Sequence, residues 1–349
     1  MRIRMQTFVK NESRQKSMTV RESFCFRHRE YAAAGRGVFL DSGFQETWRC
    51  AVILTGRNPG FCCRIRNTDW KNYKRRKNIM MHLGERMDQV REKSPLVHHI
   101  TNYVTANDCA NACLAVGASP VMADAIEEAA DMAGISSALV INIGTLNAGK
   151  IQSMLAAGRR ANERGIPVIL DPVGCGATPF RNRMAAMLLQ KIRFSVIRGN
   201  ASEILSLAGK AEAHTKGVDN GAEETGEKEN LETARSLSQR SGAVVVISGK
   251  VDQVTNGERD CLIRNGSSLL PRITGSGCMC TSLIGAFCGA NPSAVYESTV
   301  AAMALMGVAG EIAERKEGCN IGHFHMSLFD ALGNMNGMML DKEAEYEEL

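Results

Sequence analysis

No stretch of the chain approaches the ~18 uninterrupted apolar residues that a membrane-crossing helix requires, so no transmembrane helix is expected. The start has no apolar segment followed by a small-residue cleavage site, so no secretory leader is expected either. None of the 12 cysteines forms a C-x-x-C pair, and several sit inside apolar runs. That distribution suits reduced thiols in a cytoplasm better than a disulfide framework. A Walker A loop is missing: Gly242 to Gly249-Lys250 has the wrong spacing, and Val251 stands where Ser or Thr is needed. No G-x-G-x-x-G follows a strand, which argues against a dinucleotide fold. His98-His99 and His323-Phe324-His325 lack a third ligand at metal spacing and read as packing or surface residues.

What is present fits a soluble globular protein of one large domain or two ordinary ones. The 349 residues are 44% hydrophobic and 23% charged, but only 5% aromatic. The net charge of +5 conceals a split. Residues 1–80 hold 18 Lys and Arg against 6 Asp and Glu, and residues 81–349 hold 24 against 31. The first segment has no sustained period of 3.6 or 2. It reads as a basic extension, either a disordered arm or translated upstream sequence from a misassigned start. Arg75-Arg76-Lys77 can be encoded by a purine-rich ribosome-binding signal shortly before Met80 and Met81. An RNA-binding arm is the competing reading, but no nucleic-acid partner is expected. Residues 81–349 form the expected catalytic domain.

From about residue 94, apolar runs alternate with amphipathic segments. Strands are expected at 138–143, 168–170, 194–197 and 243–248. Helices are expected at 148–164, 181–192, 200–208, 231–241, 277–290, 293–316 and 323–337. The segment 217–230 is polar and reads as a mobile surface insert. Asn256-Gly257 and Asn265-Gly266 are spaced for a small antiparallel meander. Continuous apolar strands alternating with helices predict a mainly parallel sheet covered on both faces. Cys109, Cys113, Cys280, Cys288 and the Met303–Met306 stretch read as core.

Ligands of such folds lie beyond the carboxyl ends of the strands. Asp171 follows one strand; Arg198, Asn200 and Glu203 follow the next, and Ser248 the one after. Two carboxylates, an arginine and open backbone suit Mg²⁺ bound together with phosphate. Downstream, Thr274-Gly275-Ser276-Gly277-Cys278 enters a helix. The unpaired N–H groups of Gly275, Ser276 and Gly277 and the positive helix end predict an anion hole. Cys278 falls in the first turn, where the dipole is expected to favour thiolate.

The segments PLVHHITNYVTAN (95–107), GASPVMADA (117–125), GIPVILDPVGCGATPFR (165–181), IRGNASEI (197–204) and RITGSGCMCTSLIGAF (272–287) occur in one order. In that order and content the chain from about Pro95 to Met335 resembles the hydroxyethylthiazole kinase family. The resemblance implies a ribokinase-like three-layer α/β sandwich and a homotrimer with active sites between subunits. It implies transfer of the γ-phosphoryl of ATP to a thiazole alcohol. By the same resemblance Met122, Gly275 and Asn102 would meet the alcohol, Arg198, Asn200 and Ser248 would hold ATP, and Asp171 and Glu203 would bind Mg²⁺. Cys278 would stand at the catalytic base position. Residues 1–80 have no counterpart in the family.

Overall fold

The computed structural model describes residues 48–52, 62–66, 81–210, 226–318 and 320–349. The chain divides into two units, Met1–Met80 and Met81–Leu349. In the first, β1 (Trp48–Val52) and β2 (Cys62–Arg66) pair antiparallel, with Trp48 opposite Arg66. No strand was expected there. The Arg75-Arg76-Lys77 stretch and most of the expected 217–230 insert lie outside the described residues.

The second unit begins with α1 (Leu83–Lys93), β3 (Leu96–Ile100), α2 (Ala106–Ala115), β4 (Ser119–Met122) and α3 (Ala129–Ile135). Next come β5 (Ala138–Asn142), α4 (Ala148–Arg164), β6 (Val168–Asp171), α5 (Pro179–Lys191), β7 (Val196–Asn200) and α6 (Ala201–Leu207). After α7 (Glu227–Ser241) follow β8 (Val244–Ser248), β9 (Asp252–Thr255) and β10 (Asp260–Ile263). The last elements are α8 (Ser276–Ala290), α9 (Val295–Glu317), α10 (Ile321–Asn334), α11 (Gly337–Glu343) and β11 (Tyr346–Glu348).

Nine strands form one sheet in the order β11-β10-β9-β8-β7-β6-β5-β3-β4. The six from β8 to β4 run parallel, and β9, β10 and β11 are antiparallel. Alternation along each strand divides the core. Ala138 and Val140 of β5 face a layer with α8 and α9, while Leu139 and Ile141 face one with α4 and α5. With both faces covered, the parallel strands can be apolar throughout, which is why they were legible as continuous runs. The expected three-layer sandwich is what forms.

Local signals set the helix ends. Asn147 caps α4 by accepting from Lys150 N–H, and Gly165, with φ +68°, ends it. Thr178 caps α5, with Pro179 at its first position. Pro120 sits in β4 at the sheet edge, where its missing N–H costs no ladder bond on the outer side.

Two expectations need correction. Asn256-Gly257 does connect β9 to β10, but Asn265-Gly266 makes no hairpin. The strand beyond β10 is instead β11, from the end of the chain. Asn265 is buried and accepts from Glu345 N–H at 2.6 Å, holding that terminal segment in place. The single helix expected over 323–337 is two, because extended Asn336 caps α11 through Met339 N–H.

The helix that carries the glycine turn lies directly on the sheet. A Cβ at Gly285 of α8 would sit 2.6 Å from Val140 Cγ2 and 3.1 Å from Val97 Cγ1. Glycine there lets α8 approach β5 and β3 and brings its first turn to the strand ends. Gly285→Ala is therefore expected to lose about 1–3 kcal/mol to overpacking. Gly322→Ala, at a position with nothing within 4 Å of the added carbon, is expected to lose none. Urea unfolding of the two variants checks the contrast.

Candidate active site

The carboxyl ends of β3, β5, β6, β7 and β8 meet the first turn of α8. Asp171 closes β6, and its register partner on β5 is Asn142. Both side chains are 1% exposed. Asn142 donates from Nδ2 to Asp171 Oδ2 at 2.9 Å and to Cys278 Sγ at 3.2 Å. Asn102, just past β3, donates to Asn142 Oδ1 at 3.1 Å and to Cys278 Sγ at 3.3 Å. Thr281, one turn further along α8, donates to Asp171 Oδ2 at 3.0 Å. Each amide thereby uses both of its N–H donors, which fixes the orientation of both side chains.

On the other side, Asn200 and Glu203 form a reciprocal capping box at the start of α6. Glu203 Oε2 accepts from Asn200 N–H at 2.9 Å, and Oε1 from Gly174 N–H at 2.8 Å. Arg198 donates from Nη2 to Ser248 Oγ at 2.8 Å. Asn200 and Ser248 are register partners on β7 and β8.

The turn into α8 depends on its glycines. Gly275 has φ +84°, and a Cβ there would fall 2.5 Å from Thr105 Cγ2. At Gly277 a Cβ would fall 2.5 Å from Arg198 Nη1, so the guanidinium lies against the turn. No side chain caps this helix end, leaving its leading N–H groups free for an anion.

The expected thiolate is not what the structure holds. Burial pushes the Cys278 thiol up to about 12, and the Asp171 carboxylate pushes in the same direction. The helix dipole is worth a few tenths to about 2 kcal/mol, too little to offset desolvation of a buried thiolate. Cys278 is a protonated thiol at neutral pH, and its hydrogen bond favours the ionised form of Asp171.

Burial raises the Asp171 carboxyl, and the Arg198 guanidinium opposes that shift. The Glu203 carboxyl is raised by burial and by the charge of Asp171. Asp252, which accepts from Gly249 N–H at 2.9 Å, also faces Arg198. Three acidic side chains around one guanidinium would carry an excess of negative charge when ionised, the environment a divalent cation relieves. Among the described residues no group of three or more His, Cys, Asp or Glu forms a direct ligand cage. A cation held by two carboxylates, with phosphate and water completing its shell, fits this donor set.

Of the residues expected from the sequence, Asn102, Asp171, Arg198, Asn200, Glu203, Ser248 and Gly275–Cys278 converge here. Met122 stands apart, 39% exposed at the end of edge strand β4. The neighbouring His98 donates from Nε2 to Ala123 O at 2.6 Å. Burial lowers the His99 imidazole to about 4, so it is neutral and part of the packing. Cys109, Cys113, Cys280, Cys288, Met303 and Met306 are buried as expected. Sequence reading missed Asn142, Thr281 and Asp252. The one available signal for Asn142 was a lone amide closing an otherwise apolar strand.

The fold is the ribokinase-like one. A ribokinase-like superfamily protein from Enterococcus faecalis superposes with a TM-score of 0.51 at 14% identity, covering 71% of this chain and 87% of that one. The sequence profile of the "Hydroxyethylthiazole kinase family" matches residues 87–337, and the chain belongs to that family. A hydroxyethylthiazole kinase from Clostridium beijerinckii is 47% identical over 274 residues, which is 78% of this chain and 99% of that protein. The solved hydroxyethylthiazole kinase from Pyrococcus horikoshii is 40% identical with a TM-score of 0.69, covering 76% of this chain and 98% of its own.

The raised thiol has a direct readout. A shift from 9.0 to about 12 lowers the thiolate fraction at pH 8 by roughly a thousandfold. Alkylation of Cys278 by iodoacetamide, followed by peptide mass spectrometry, is expected to lag a free thiol by that order. Labelling at the free-thiol rate would contradict the burial argument.

Proposed function

We propose that residues 81–349 act as a Mg²⁺-dependent hydroxyethylthiazole kinase. The reaction transfers the γ-phosphoryl of ATP to the hydroxyl of 4-methyl-5-(2-hydroxyethyl)thiazole, giving the thiazole phosphate of thiamine salvage and ADP. The observation that carries this reading is the meeting of the uncapped α8 turn, the Asp171–Glu203 carboxylates and Cys278 at one rim of the sheet.

In this reading Arg198 and Ser248 hold the nucleotide, and Asn200 keeps Glu203 in place for it. The N–H groups of Gly275, Ser276 and Gly277, with that of Cys278 beside them, face the moving phosphoryl group, where fixed donors stabilise developing charge. Asp171 and Glu203 would hold Mg²⁺, partly through water. When bound, Mg²⁺ neutralises charge on the phosphate oxygens. Asn102 and Asn142 fix the Cys278 sulfur beside the incoming hydroxyl. A protonated thiol is a poor initial acceptor of the hydroxyl proton. Cys278 therefore guides the hydroxyl, and positioning and charge stabilisation carry most of the rate.

Met122 would complete the alcohol pocket from the sheet edge. Its exposure in a single chain supports a homotrimer whose sites lie between subunits. The setting is the cytoplasm, which suits the seven described free cysteines; no helix among the described residues is long and apolar enough to cross a membrane. Residues 1–80 lie outside the catalytic unit and are not needed for the reaction.

A coupled assay of ADP release with and without the thiazole alcohol tests the reading. Thiazole-dependent release is expected from the wild type. Cys278→Ala is expected to lose activity by about tenfold or more, because the group that positions the hydroxyl is gone. Cys278→Asp is expected to retain activity, because a carboxylate accepts the proton more readily at neutral pH. Equal loss in both variants would remove the role of this position in handling the hydroxyl.

A further inference from the structure

Arg181 closes the sequence segment GIPVILDPVGCGATPFR (165–181), and nothing above gives it a role. It lies in the first turn of α5, where Thr178 Oγ1 accepts from its backbone N–H at 3.2 Å. Among the described residues it forms no ion pair with a carboxylate. Its guanidinium instead donates to three carbonyl oxygens on two loops. Nη1 donates to Ile143 O at 2.7 Å and to Val173 O at 2.6 Å, and Nη2 donates to Gly144 O at 2.8 Å. The stem packs so closely on Gly174 that a Cβ there would lie 3.2 Å from Arg181 Cδ. Gly174 itself has φ +72°.

The two carbonyls bound by Nη1 belong to informative peptide units. Val173 C=O shares a rigid plane with Gly174 N–H, the group that donates to Glu203 Oε1 at 2.8 Å. Ile143 C=O shares one with Gly144 N–H, which donates to Asn142 Oδ1 at 2.8 Å. In a trans peptide the C=O and N–H point in opposite directions. A donor that fixes the oxygen thereby aims the N–H, and polarising the carbonyl strengthens the N–H as a donor. One nitrogen thus controls the two peptide planes that orient Glu203 on one side and Asn142 on the other.

We infer that Arg181 is a positioning residue, a fork that sets the metal-facing carboxylate Glu203 and the thiol-facing amide Asn142 in register with each other. The inference rests on the kinase reading above. It places Arg181 behind the reacting groups, touching neither substrate nor cation. Lysine is a poor replacement, because its ammonium lacks the second nitrogen that binds Gly144 O and the rigid plane that fixes Nη1 between the two carbonyls.

The test compares wild type, Arg181→Ala and Arg181→Lys by two readouts. The first is the Mg²⁺ concentration for half-maximal thiazole-dependent ADP release. Loss of an outer-shell partner typically costs 10–100-fold in metal affinity or activity, so the midpoint is expected to rise about tenfold or more in both variants. Free guanidinium at ~50 mM is expected to restore part of the loss in Arg181→Ala and none in Cys278→Ala. The second readout needs neither metal nor substrate: iodoacetamide labelling of Cys278 is expected to slow several-fold once Asn142, whose amide donates to the sulfur and favours thiolate, is no longer held. Thermal unfolding establishes that each compared variant is folded, and Arg181→Lys carries the test if Arg181→Ala is not. A folded variant with wild-type midpoint and wild-type labelling overturns the inference. A wild type without thiazole-dependent ADP release overturns the kinase reading instead, and the labelling comparison still decides the positioning role.

Discussion

A carboxylate cut off from water is the constraint on which this site depends. Asp171 is 1% exposed and sits in the same electrostatic neighbourhood as Glu203. Two such charges in a low-dielectric interior are costly unless hydrogen bonds and opposite charge surround them. The surrounding residues answer that cost. Asn142 and Thr281 donate to Asp171, backbone N–H groups donate to Glu203, and Arg198 supplies a positive charge. What remains is an excess of negative charge at the mouth of an uncapped helix. Cation and polyphosphate together suit that combination better than either alone.

The fold makes this arrangement possible through register. Parallel pairing places Asn142 opposite Asp171 and Asn200 opposite Ser248, so groups far apart in the chain become neighbours at one rim. Helix α8 reaches the same rim because its glycine lets it lie flat on β5 and β3. The first turn of α8 then faces the polar ends of the strands. The same closeness removes water from Cys278 and turns a nominally activated thiol into a protonated one.

How much was legible in the sequence follows from the range of each interaction. Apolar runs such as 244–248 and the amphipathic pattern of 148–164 act locally, and the elements they marked form within a residue or two. Asp171 and Glu203 could be read because ligands of such folds lie beyond the carboxyl ends of the strands, and the Gly275–Cys278 turn because a glycine-rich helix start offers free N–H groups. β3 went unmarked because His98 and His99 interrupt its apolar pattern, although burial keeps both within the core. Asn142 looked like the end of a buried strand; only its neighbour on β6 reveals its part. The Cys278 charge state was misjudged because a helix dipole is visible in sequence, whereas desolvation by tertiary packing is not. Asn265-Gly266 misled for a similar reason, since its partner lies eighty residues on, at Glu345.

The central claim is that Asp171 is kept buried and ionisable for the reaction rather than for the fold. Asp171→Asn removes a buried charge while preserving shape, and steady-state ADP release across a Mg²⁺ titration reads its effect directly. The account predicts a protein at least as stable as the wild type whose turnover falls by about 10²-fold or more at every Mg²⁺ concentration. Wild-type turnover with an unchanged Mg²⁺ response would contradict it.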